Sequence, residues 1–312
     1  MKLLSPRNHG ISFSHKGREM KAILVEICLF LIVFGGAGLV QAEHPVDVQR
    51  QLADGEYLQA LVTYDKIPKR RVSVASKLAA AKSAWGLSLP ERAIHEFESA
   101  LSDPTLTEVD RAKIYLSRGI IELQETRARE AIPYAQRAID LIPDAGPLRS
   151  KAWLLWAESL AQLNSFGAAE EKYINALDEA EPSERSDIHY RLGLCQLKLD
   201  KMDLAKDQFE QIPLSHSQAP QAVRYLANIA LTTKNYEHAG FWLTRGRDEY
   251  GERFLDSWVD YALVQISIHE SNLARVRELR EAAIQKYPPS DPWINLMNAA
   301  AEKFEWEQVQ AK

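Results

Sequence analysis

The sequence predicts an all-α chain of about seven helical hairpins closed by one more helix. Three observations predict it. From residue 43 onward Ala, Leu, Glu, Gln, Arg and Lys dominate, and no sustained alternating run of β-branched residues occurs. An alanine recurs at Ala60, Ala93, Ala131, Ala169, Ala205, Ala239 and Ala274, at spacings of 33, 38, 38, 36, 34 and 35. Short polar turns stand just before these alanines, among them Asp54-Gly55-Glu56, Gln124-Glu125-Thr126, Asn164-Ser165 and Asp200-Lys201.

The composition agrees. The chain has 312 residues, of which 46% are hydrophobic and 26% charged, with only 2 Cys. Disorder, collagen and a disulfide scaffold are excluded. A formal net charge of −5 argues against a nucleic-acid footprint.

The first 42 residues read as a secretory signal peptide. Lys16, Arg18 and Lys21 precede the apolar run Ile23 to Val40, and Val40-Gln41-Ala42 offers a small-residue exit. Cleavage is expected after Ala42. Met20-Lys21 is the more natural start, because Lys16 to Glu19 can be written in purine-rich codons resembling a ribosome-binding site. The alternative is a retained single-pass anchor, since eighteen helical residues span roughly 27 Å. Residues 1–42 hold five Lys or Arg and two acids, so their removal leaves 270 residues at −8. Cys195 is then the only cysteine, which excludes an internal disulfide.

The second half of each hairpin pairs its alanine with a residue four positions on: Tyr64, Phe97, Ala135, Tyr173, Phe209, Leu243 and Glu278. One helical turn separates each pair, so a small residue and usually a ring share a face. The first halves carry stripes such as Tyr115-x-x-Arg118-Gly119, Trp153-x-x-Trp156-Ala157, His189-x-x-Leu192-Gly193, Val223-x-x-Leu226-Ala227 and Trp258-x-x-Tyr261-Ala262. Lys77-x-x-Ala80-Ala81 is a diluted version.

These residues resemble the tetratricopeptide repeat family, whose unit reads W-x₂-L-G-x₂-Y…A-x₃-F…P over about 34 residues. The resemblance covers residues 44–288. It implies a right-handed superhelical solenoid of about seven hairpins. Sel1-like helical hairpins are built similarly but fit the spacing less well. Several positions depart from the pattern. The closing proline is well placed only at Pro143, and the first unit has a short leading helix from near Pro45. Glu278 stands where a ring belongs, and Pro133 is expected to kink or restart its helix.

Residues 289–312 form the end of the chain. Asp291 can cap a helix that Pro292 opens, with Ile294, Met297, Ala301 and Phe304 as its apolar stripe and an otherwise polar surface. Such a helix covers the open end of a repeat stack.

No catalytic constellation is present. His95-Glu96 opens like a zinc-helix motif, but Ser99 occupies the second ligand position. Cys195 lies on the stripe Ile188, Leu192, Cys195 and Leu199, where packing is its role. The expectation is a non-enzyme with no cofactor and no metal site.

In the resembled family the first helices line a concave groove. Carried onto this chain, the outward residues are Lys82 and Trp85, then Lys113, Leu116 and Ile120, then Lys151, Leu154 and Glu158, then Tyr190 and Leu194, then Arg224 and Asn228. Cations, aliphatics and rings together suit an extended peptide or protein segment with acidic and apolar side chains. Arg224 and Asn228 resemble the start of a carboxylate clamp, but Asp260 replaces the amide of the next hairpin, so no clamp is expected. The expected function is a periplasmic interaction scaffold of a Gram-negative envelope, serving envelope assembly, secretion or a trans-envelope complex. Two alternatives stand beside it. One is an inner-membrane-anchored subunit of a membrane complex. The other is a carbohydrate-binding accessory of polysaccharide export, using Trp85 and Tyr190. A protein or peptide partner is expected, with no nucleic acid, and a membrane only if the N-terminal segment is retained.

Overall fold

The computed structural model describes residues 43–310, which form fifteen α-helices and two short 3-10 turns, with no strand among the described residues. The expected signal peptide, Ile23–Val40 included, lies outside the described residues. The chain divides into two compact units, one ending at Ala180 and the other starting at Glu181. The sequence reading has a single array instead.

The first unit contains α1 (Glu43–Ala53), α2 (Tyr57–Asp65), α3 (Val74–Gly86), α4 (Pro90–Leu101), α5 (Glu108–Gln124), α6 (Ala128–Asp140), α7 (Pro147–Gln162) and α8 (Phe166–Glu179). The second contains α9 (Pro182–Lys198), α10 (Met202–Glu210), α11 (Ala219–Thr232), α12 (Tyr236–Tyr250), α13 (Ser257–His269), α14 (Leu273–Lys286) and α15 (Pro292–Gln310). Within each unit every helix packs on its neighbour in sequence. First helices of successive hairpins also touch, as α1 with α3 and α5 with α7, and α13 touches the last helix, α15, in the same way.

One backbone device recurs seven times. The residue closing each first helix takes a left-handed conformation: Gly55 (φ 77), Ser88 (59), Thr126 (62), Asn164 (59), Asp200 (57), Lys234 (60) and Ser271 (56). The next N–H then donates to the carbonyl five positions back, as in Arg127 to Glu122 at 2.8 Å and Asn235 to Ala230 at 2.7 Å. This hydrogen bond closes a Schellman turn and satisfies a carbonyl that the helix end leaves open. Asn235 and Asn272 then cap α12 and α14 through their side chains.

These turns give a register that does not depend on side-chain type. Five residues beyond each stand Ala60, Ala93, Ala131, Ala169, Ala205, Ala239 and Val276, all fully buried. Six of the seven agree with the sequence reading. The seventh is corrected: Ala274 is exposed, and Val276 takes its place. The companion position moves from Glu278, which is exposed, to Arg280. The leading helix shifts by the same two residues, so Asp260, Leu263 and Val264 hold the positions expected of Trp258, Tyr261 and Ala262.

Close approach explains the small residues. At Gly193 an added Cβ would lie 2.9 Å from the Phe209 ring, which is why the α9–α10 crossing admits no side chain there. Phe209 in turn stacks on Tyr225 of α11 at 5.1 Å. Each such buried ring contributes on the order of 2 kcal/mol.

Pro133 does not restart α6, which runs unbroken from Ala128 to Asp140. The proline is on the solvent side, where water can meet the carbonyl it frees. α15 begins as expected, with Trp293 N–H donating to Asp291 at 2.8 Å and Ile294, Met297, Ala301 and Phe304 buried. Its outer surface is not purely polar, because Leu296, Trp306 and Val309 are exposed.

Candidate functional site

The seven left-handed residues also fix which first-helix positions lie off the packing stripe: those thirteen, ten and six residues before each turn. In the first unit these include Lys113, Leu116 and Ile120 on α5, and Lys151, Leu154 and Glu158 on α7. Lys82 and Trp85 lie on α3. In the second they include Tyr190 and Leu194 on α9, and Arg224 and Asn228 on α11.

The structure separates these residues by burial. Lys82, Lys151, Leu154 and Glu158 are half-buried. Lys113 is also half-buried, with its ammonium 3.8 Å from Asp110. Leu116 and Ile120 are buried, because α7 packs across α5 and covers them. Trp85 is buried too, and its indole N–H donates to Gln124 Oε1 at 2.8 Å, binding α3 to α5. Of these first-unit residues, Lys82, Lys113, Lys151 and Glu158 are the charged ones left half-buried.

In the second unit Tyr190 is buried against Phe209 and Tyr225. That burial, with Tyr225 beside it, pushes its phenol well above the usual tyrosine range. Leu194 is half-buried and Asn228 is exposed. Arg224 is engaged inside its own unit. Its guanidinium donates to Asp256 and to the Phe254 carbonyl, and lies 4.8 Å over the Phe254 ring. An arginine held this way is a packing element.

The corrected register adds two rings that sequence reasoning placed on the packing stripe. Trp258 and Tyr261 occupy the same positions of α13 that Lys151 and Leu154 occupy on α7, and both are half-buried. Arg224 lies 5.8 Å from the Trp258 ring, and Tyr261 packs on Trp293 at 5.4 Å. The polar turn Ser271-Asn272 was the signal that could have placed them, had the hairpin been counted from its turn.

Buried charge ties the first unit together. Glu122 takes two guanidiniums, from Arg118 and Arg127, and Arg118 also lies 5.0 Å over the Tyr134 ring. Glu179 receives Arg149 through two nitrogens, at 3.0 and 2.7 Å, and the Trp153 indole at 3.2 Å. Tyr64 donates to Glu96 at 2.6 Å, joining the second helices of two successive hairpins. These acids are satisfied by fixed partners, so they are structural.

Comparison with known proteins finds a family match over part of the chain. Residues 78–146 and 154–212 match the family described as Tetratricopeptide repeat. Residues 78–146 and 154–212 thus carry tetratricopeptide repeats. Solved structures similar in fold include PilW, described as a widely conserved type IV pilus biogenesis factor. It is 17% identical with a TM-score of 0.52, over 72% of this chain and 97% of that one. PilF of Pseudomonas aeruginosa is 15% identical with a TM-score of 0.52, over 76% and 95%. A tetratricopeptide repeat protein of Parabacteroides merdae is 14% identical with a TM-score of 0.52, over 76% and 89%. No curated protein sequence matches.

Tetratricopeptide repeats generally mediate protein–protein interaction, and their fold is typically a non-catalytic scaffold. The described residues contain no group of three His, Cys, Asp or Glu that could hold a metal ion. Cys195 is buried, and His189 Nδ1 meets Gln208 Oε1 at 2.9 Å as a structural tie between α9 and α10. Among the described residues no helix is long and apolar enough to cross a membrane.

Proposed function

We propose that the chain is an exported, periplasmic, non-catalytic scaffold that holds a peptide or protein partner on the first-helix faces of its repeats. The observation that carries this reading is the shared register. Successive first helices present the same off-stripe positions, so an extended segment meets similar positions once per hairpin. Lys113 and Lys151 hold the same position on two successive first helices of the first unit, and Lys82 stands nearer the turn on the helix before them, which suits a segment with acidic side chains. Asn228 and the half-buried rings Trp258 and Tyr261 offer mixed polar and apolar contacts in the second.

Export is supported by the basic, apolar and small-residue order of residues 16–42. Envelope assembly or secretion is the setting we favour, in keeping with the pilus role stated for PilW. Sequencing the N-terminus of the exported protein tests the compartment. A start at Glu43 supports the periplasmic form, and an intact Ile23–Val40 run supports the inner-membrane anchor instead. The carbohydrate reading has less support, because Trp85 and Tyr190 are buried.

The partner face is tested by Lys113→Glu combined with Lys151→Glu. Pull-down from the native envelope followed by mass spectrometry should recover a partner with the wild type. The double variant should lose most of it at an unchanged melting temperature. Recovery at wild-type strength would overturn the assignment of this face.

A further inference from the structure

The most unbalanced charge on the described surface lies outside the first helices. Between α2 and α3 the chain reads Lys66-Ile67-Pro68-Lys69-Arg70-Arg71, four cations in six residues of a chain with net charge −5. All four are exposed, and none makes an ion pair among the described residues. The acid beside them in sequence, Asp65, is taken by Arg92 from α4. Ile67 is buried and anchors the segment, so the four charges are held out on a fixed turn.

Two exposed aliphatic side chains precede them on α2. Leu58 is 66% exposed and Val62 38% exposed. Leu58, Val62 and Lys66 stand four residues apart, in one row along α2. The opposite side of α2 is spent on Ala60, Leu61 and Tyr64, which are buried. The exposed row therefore runs from aliphatic to cationic, and among the described residues none of its cations makes an ion pair.

We propose that this row and the following turn dock on an anionic phospholipid surface. Aliphatic tips beside unpaired cations match the two layers of such a surface, with acyl chains under the headgroups and phosphates above them. An acidic protein segment would also need apolar side chains placed to meet Leu58 and Val62, whereas a bilayer presents acyl chains beneath its phosphates at every point. Each cation near an anionic bilayer is worth about fivefold in partitioning, so three of them contribute roughly a hundredfold. The row lies on a second helix of its hairpin, whereas Lys113 and Lys151 stand on first helices, so its failure leaves the scaffold reading untouched.

The test uses the full chain and sedimentation with two kinds of vesicle, pure phosphatidylcholine and an equimolar mixture with phosphatidylglycerol. Any contribution of Ile23–Val40 is common to all variants and drops out of the comparison. Wild type should bind the anionic vesicles far more strongly than the neutral ones, and lose that excess as salt rises. Lys69→Glu with Arg70→Glu and Arg71→Glu should lose about a hundredfold on anionic vesicles and nothing on neutral ones. Leu58→Ser with Val62→Ser should lose severalfold on anionic vesicles. Circular dichroism should show wild-type helicity in both variants, since every altered side chain is exposed. Equal binding of wild type and the charge-reversed variant to anionic vesicles would overturn the proposal. So would full binding by the Leu58 and Val62 variant together with capture of the wild type by soluble poly-glutamate, which would point to an acidic protein.

Discussion

Gly246 lies against the ring of Phe254 so closely that a Cβ on it would stand 2.3 Å from Cζ and 2.5 Å from Cε1. Phe254 is fully buried and Arg224 lies over its ring, so the ring has nowhere to move. An alanine would gain about 1 kcal/mol in helix propensity, against roughly 1–3 kcal/mol or more for overpacking. Overpacking wins at this distance. Gly246→Ala should lower the melting temperature of the second unit, and Phe254→Leu added to it should recover part of the loss. Thermal denaturation of the two variants checks this, and a melting temperature at or above wild type for Gly246→Ala would refute it.

The two-residue correction in the seventh hairpin makes an asymmetric prediction. Val276 is fully buried and Ala274 is exposed. Val276→Asp should cost about 3 kcal/mol or more as an unpaired buried charge, while Ala274→Asp should stay within about 0.5 kcal/mol. Urea titration of both variants measures the difference, and the reverse order would restore the spacing inferred from alanines alone.

Thr126 holds φ 62, a conformation that branched side chains rarely adopt. Glycine removes that penalty at some cost in unfolded-chain entropy, so Thr126→Gly should gain about 0.5–1 kcal/mol. The same change at Asn164 should gain less, since asparagine tolerates this region. A loss of stability at Thr126→Gly would show that its side chain contributes something beyond the turn.

Burial raises the Asp187 carboxyl above its ordinary range, although His216 Nε2 at 3.6 Å pulls it down. A folded-state value above the unfolded one means that the folded protein binds more protons between the two. Stability from this group therefore falls as pH rises through that window. Asp187→Asn lacks the effect, so its stability relative to wild type should climb across the weakly acid range and then level off. Chemical denaturation at a series of pH values reads the variant's stability minus that of wild type, and a difference that falls as pH rises would contradict the shift.

Much of the fold is legible in the sequence because the repeat is written twice, once in alanines and once in turns. For six hairpins the two agree. In the seventh they part, since Ala274 happens to lie 35 residues after Ala239 while the buried position is a valine. A β-branched residue at a crossing reads as ordinary core, so spacing chose the wrong residue. The candidate faces were only partly legible for another reason. Periodicity identifies the side of a helix that faces its own partner, and Leu116, Ile120 and Trp85 are buried by the next hairpin's first helix instead. The polybasic turn escaped notice because it belongs to no repeat position.

Arg280 occupies the slot where four of the other hairpins place an aromatic ring. Its guanidinium reaches Asn298 at 2.9 Å and Glu302 at 2.8 Å on α15, and Arg277 joins Glu305 at 2.8 Å. A ring in that slot would stack on whatever hairpin came next, whereas this fork recognises only the acids and amide of one particular helix. The seventh hairpin is thus matched to α15 by charge where four of the others use a ring. Extra repeats spliced in upstream would meet compatible apolar surfaces, but one inserted between α14 and α15 would strand two arginines against a face with no acids to receive them.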